Sequence, residues 1–188
     1  MNQHASFPRF TSLLSRRPDA TARVVGSPSY PDLYGLVRFY GTPYGVLVAA
    51  EVQGLPDSQG QCERPIFGFH LHEGGFCAGN GRDPFADAGS HYNPRRCPHP
   101  FHAGDLPPLF GSGGYAYSVF LTNEFTVDEI IEKTVIIHGA PDDFHTQPSG
   151  NSGTKIACGI ILGRKQGIPE GGRHAHRRKH DPCLCGWG

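Results

Sequence analysis

Between Phe67 and Asp105 the chain carries His70, His72, His91, His99, His102 and Asp105, five imidazoles and a carboxylate within about forty residues. Imidazole and carboxylate groups at this density are a metal-binding composition. His70 and His72 stand two apart, and in an extended strand alternate side chains point to one face, so the pair can grip one ion from one side. His91, His99, His102 and Asp105 add three imidazoles and a carboxylate, a donor set suited to closed tetrahedral zinc coordination. His138 follows downstream, with Asp142 and Asp143 beside it. A metal-bound histidine usually donates its other ring nitrogen to a carboxylate or carbonyl, which gives Asp142 a role in orienting ligands.

The elements that must position these groups read as short strands. Tyr34 to Tyr40, Gly45 to Val52, Ile66 to His72, Tyr115 to Leu121, Thr134 to His138 and Lys155 to Leu162 are β-rich runs bounded by Gly, Pro, Asn or Asp. Only Phe125 to Glu132 has room for a helical turn. Short strands with turn signals between them predict an all-β antiparallel sandwich or barrel. Two long segments interrupt the strands, Glu73 to Gly114 and Gly139 to Gly153, and loops of that length in a compact domain are usually functional. The first holds His91, His99, His102 and Asp105.

The 188 residues fit one domain with tails. We expect an arm at 1–22, a central domain at 23–163 and a basic His/Cys-containing tail at 164–188. Seventeen basic against seventeen acidic side chains give a formal charge of zero and no argument for nucleic acid as a partner. From Val24 to Leu162, however, there are fourteen acids and seven bases, while Arg164 to Lys179 hold six bases. No apolar run approaches the roughly 18 residues of a membrane span, and the polar opening lacks the apolar stretch of an export signal, so no membrane partner and a cytoplasmic location are expected. The alternative is a periplasmic or extracellular protein whose signal has been removed. Six cysteines, at 62, 77, 97, 158, 183 and 185, suit either disulfides or thiolate ligation.

The strings GFHLHE (Gly68 to Glu73), HYNP (His91 to Pro94), HAGDLP (His102 to Pro107), the segment from His138 to Asp143, and SGNSGTKIACGII (Ser149 to Ile161) resemble the copper/zinc superoxide dismutase family, in the family's order. The resemblance implies an immunoglobulin-like Greek-key sandwich or barrel of about eight antiparallel strands. It implies His70, His72, His91 and His138 as copper ligands and His91, His99, His102 and Asp105 as zinc ligands, with His91 shared. On reduction His91 would release copper and carry a proton. Asp142 matches the aspartate that holds His70 and His99, and Cys77 and Cys158 match the family disulfide. The substrate implied is superoxide, converted to dioxygen and hydrogen peroxide by an oxidoreductase.

Four departures from the family stand out. The stretch between His99 and His102 is short, and the gap from Cys77 to His91 is long, as in bacterial relatives. Lys155 occupies the place of an arginine that guides superoxide, keeping the charge but losing the planar two-pronged head. The tail GRHAHRRKHDPCLCGWG (Gly172 to Gly188) lies outside the family pattern and resembles the Cys-x-Cys end of the copper chaperone for superoxide dismutase. Cys183 and Cys185 therefore offer a soft metal site, and a copper chaperone or metal-storage protein on the same fold is the alternative function. A homodimer and a copper donor are the partners such a reading leaves open. Cys62 and Cys97 match no family role, either as a pair or as free thiols.

Overall fold

The computed structural model describes residues 10–57, 60 and 64–164. Its strands are β1 (Ala20–Gly26), β2 (Tyr34–Thr42), β3 (Gly45–Gln53), β4 (Ile66–Phe67), β5 (Phe69–His72), β6 (Leu109–Phe110), β7 (Tyr115–Thr122), β8 (Thr134–His138) and β9 (Lys155–Gly163). Seven of them form one antiparallel sheet in the order β5-β8-β9-β1-β2-β3-β7, and β4 pairs with β6. The sheet curls into a half-barrel. After β3 the chain jumps to the far edge at β5, and after β7 it crosses back to β8, which is the Greek-key pattern. The fold class expected from sequence is the fold observed.

Alternation decides which face is inside. In β1, Ala20, Ala22 and Val24 point inward, and in β2 Val37 and Phe39 do. They meet Phe69, Leu71, Ile137, Ile156 and Ile161 in one apolar core. Burying each large aliphatic or aromatic side chain contributes about 1.5–3 kcal/mol, so this core supplies the driving force that holds the site's scaffold rigid.

Three details differ from the expected elements. The run Ile66 to His72 is two strands, because Gly68 steps out of the ladder: its N–H donates to Ala140 O and its carbonyl accepts from His138 N–H. A Cβ at Gly68 would sit 2.9 Å from Ser152 Cβ. The expected helical turn is a short 3-10 turn at Asp128–Ile130. Part of the expected arm is structured, since β1 begins at Ala20 and a helical turn, α1 (Phe10–Leu13), sets Leu13 and Leu14 against Tyr40, Leu47 and Ala49. No described helix is long and apolar enough to cross a membrane.

Candidate metal centre

Strand β5 is buried along its whole length, so its two faces do different work. Phe69 and Leu71 enter the core, while His70 and His72 emerge together on the other face. Beside them β8 ends in His138, which is paired in register with Lys155 of β9. The long loop then lies against β5 by backbone pairing: His70 bridges Asp105, and His72 bridges His91. Tyr92 N–H donates to Leu71 O at 2.8 Å and Leu71 N–H to Gly104 O at 2.9 Å. A segment that reads as irregular in sequence is thus fixed by the strand it covers.

Two groups of ligand atoms result, each with its members within 4.8 Å of one another: His70, His72, His91 and His138; and His91, His99, His102 and Asp105. His91 belongs to both. Its ring lies 4.0 Å from that of His70 and 5.5 Å from that of His102, centroid to centroid.

The hydrogen bonds around these groups fix which nitrogen is free. His70 Nε2–H donates to Asp142 Oδ2 at 2.7 Å and His99 Nε2–H to Asp142 Oδ1 at 2.9 Å, so one carboxylate orients a ring from each group. His72 Nδ1–H donates to Gly89 O at 2.8 Å and His138 Nδ1–H to Gly153 O at 3.3 Å. Neutral imidazole has one donor and one acceptor, so His70 Nδ1, His72 Nε2 and His138 Nε2 keep their lone pairs. Of the buried ring nitrogens, His70 Nδ1, His91 Nε2, His99 Nδ1 and His102 Nδ1 have no hydrogen-bond partner. Buried polar atoms without partners are rare, and four aimed into two small clusters fit cations there.

The electrostatics point the same way. Burial pushes His72 well below the usual imidazole range and His138 down to about 3, and it lowers His70 against the opposing bond to Asp142. These rings are neutral at ordinary pH, the form that ligates metal. Burial raises the Asp142 carboxyl, but the bonds from His70, Phe144 N–H and His99 outweigh it and hold the group ionised well below the usual carboxylate range. Asp105 is likewise held down, burial being outweighed by bonds from His91 and His102 N–H.

Cys77 and Cys158 form a disulfide that ties the long loop to β9. Cys97 is a free thiol. Cys62, Cys183 and Cys185 lie outside the described residues, and so does the proposed tail site. Lys155 lines a cleft of about 880 Å³ together with His72, His91 and His138.

Sequence reading missed several contributors. Gly150 has φ +67°, and a Cβ there would fall 2.0 Å from Asp142 Oδ1 and 2.7 Å from His99 Nε2, so only glycine leaves room for the bridging carboxylate. Gln147 clamps the two long loops together, accepting from His99 N–H and donating to His99 O. Asp83 bonds to Lys155. Gly150 stands in the string SGNSG, where positive-φ glycine was a readable signal; Gln147 and Asp83 carried none.

An all-β half-barrel bearing two histidine clusters joined through one shared imidazole defines a protein with a paired-metal centre. The family model for copper/zinc superoxide dismutase (SODC) matches residues 33–161, and the chain belongs to that family. A Cu-Zn superoxide dismutase of Legionella pneumophila is 32% identical over 151 residues, covering 76% of this chain and 86% of that protein. One from Photobacterium leiognathi is 31% identical over 141 residues, covering 68% and 78%. Among solved structures, the Cu/Zn superoxide dismutase from Brucella abortus aligns with TM-score 0.63 at 25% identity, covering 75% of this chain and 98% of that one.

Proposed function

We propose that this chain is a superoxide dismutase that holds copper on His70, His72, His91 and His138 and zinc on His91, His99, His102 and Asp105. The carrying observation is His91, which belongs to both adjacent clusters and whose Nε2 is one of four buried ring nitrogens in them without a hydrogen-bond partner. Four imidazoles suit copper, and three with a carboxylate suit zinc. Copper supplies alternation between two oxidation states, and zinc supplies a fixed charge.

The chain's residues do the rest. Over one cycle, one superoxide is oxidised to dioxygen and another is reduced to hydrogen peroxide with uptake of two protons. His91 Nε2 is placed to hold and deliver one of these protons, while Nδ1 stays anchored beside Asp105 at 2.7 Å. Asp142 keeps both clusters in register. Lys155 presents an ammonium to an anion entering beside His138.

The alternative of a copper chaperone or storage protein rests on Cys183 and Cys185. The complete set of four imidazoles favours the enzyme. Metal analysis of the loaded protein together with a superoxide assay tests the reading: one copper and one zinc with catalysed decay supports it. Full metal occupancy without turnover overturns it.

A further inference from the structure

Lys155 does not face the cleft as a free cation. Its Nζ donates to Asp83 Oδ2 at 2.7 Å and to Phe85 O at 3.1 Å. An ammonium has three donors, so one remains for the cleft. Asp83 is itself held in place. Its Oδ1 accepts from Phe85 N–H at 2.9 Å, and its own N–H and that of Arg82 donate to Asn80 Oδ1. Phe85 packs with Ala88, Ile136 and Cys158, beside the disulfide.

This platform decides how the ion pair behaves. Exposed ion pairs usually contribute little because both side chains must be ordered to make them. Here the Lys155 side chain is 14% exposed and the acid is already fixed by its turn. Burial raises the Asp83 carboxyl, yet the bonds from Lys155 and Phe85 N–H outweigh it, and the group stays ionised. An anion approaching Lys155 therefore meets a carboxylate as well as an ammonium. Arg82 and Arg96 also line the cleft and have no ion-pair partner among the described residues.

We propose that Asp83 is a positioning residue that sets the anion affinity of the cleft, fixing the direction of the Lys155 ammonium and offsetting its charge. The anion's identity as superoxide rests on the dismutase reading; the control of anion affinity does not. A carboxylate in contact with the lysine trades attraction for orientation, leaving one N–H aimed inward and the arginines to draw anions toward the mouth.

The test is Asp83→Asn, which removes the charge, keeps one amide oxygen as acceptor for Phe85 N–H and turns a donor NH2 toward Lys155 in place of Oδ2. Two probes are read: azide binding to the copper- and zinc-loaded protein by visible absorption, and chloride binding to metal-free protein by chlorine-35 NMR line broadening. We expect both anions to bind at least about threefold tighter, the Coulomb effect of deleting one charge several ångströms from the anion even in a watery cleft. The ionic-strength dependence of binding should steepen. In a Lys155→Met background the gain should shrink, since coupled residues are non-additive. Asp83→Ala and thermal melting separate a charge effect from loosening of the loop. Unchanged or weaker anion binding in Asp83→Asn, or a gain undiminished by Lys155→Met, overturns the proposal. Because chloride is read without metal, a failure of the dismutase reading leaves this result interpretable by itself.

Discussion

Asp142 is the residue on which both clusters depend, because its two oxygens accept from rings that belong to different groups. In Asp142→Asn the amide offers one acceptor and turns an N–H toward the other ring's N–H. The outcome expected is a roughly 10–100-fold loss in affinity for copper and zinc, the usual effect of losing a group that orients ligands. Competitive metal titration measures it, and unchanged affinities would remove Asp142 from this role. Lys155→Arg tests the departure from the family arginine. A planar fork can serve Asp83 and an anion together, so azide sensitivity should rise by about twofold or more, with turnover rising too. Identical turnover and anion sensitivity in the two proteins would mean the lysine makes no difference.

At the scale of elements, the site depends on two loops that only a strand, a disulfide and a glycine turn hold in place. The Cys77–Cys158 link spans 81 residues of chain. Replacing both cysteines by serine should cost about 2–5 kcal/mol of stability, read by denaturant unfolding, with faster hydrogen exchange in the loop that carries Asp83. A loss below about 0.5 kcal/mol would show that packing alone fixes the loop. Gly150→Ala should lower stability by about 1 kcal/mol or more, because the backbone there is left-handed. Its Cβ would also push Asp142 away from His99, so zinc affinity should fall with it. Retained zinc affinity would mean the loop can shift without losing the bridge.

The strands and the ligands were legible to different degrees, for physical reasons. Tyr34 to Tyr40 and Gly45 to Val52 are long and apolar enough to declare themselves. β1 was not read as a strand, and its first three residues fell in the expected arm, because two of its inward residues are alanines, which bury little area and give a faint period. β6 is two residues long, too short for any period, and β4, also two residues, was read as one run with β5. The histidines, Asp105 and Asp142 were readable because their types are rare together. Asp83 and Lys155 are 72 residues apart, and only folding brings them into contact.

At the scale of the whole molecule, acid should weaken the metal-free protein. His72 and His138 bind protons less readily folded than unfolded, so as pH falls below the ordinary imidazole value of 6.5 the unfolded chain gains protons first. That stability is present above 6.5 and is lost progressively toward about 3 for His138. Asp142, also depressed, adds its loss below its ordinary value of 3.8. The melting temperature without metal should therefore fall between pH 7 and pH 4, and bound metal should oppose the fall until protons displace it. A flat profile over that range would contradict the buried, neutral state of these rings.

The central claim is that the fold assembles a catalyst for superoxide dismutation. Pulse radiolysis of the protein loaded with copper and zinc tests it most directly. Superoxide decay should accelerate in proportion to bound copper, lose that acceleration in His138→Ala, and slow with ionic strength as anion attraction is screened. Decay no faster than in buffer, from protein shown to hold one copper and one zinc, would contradict the account.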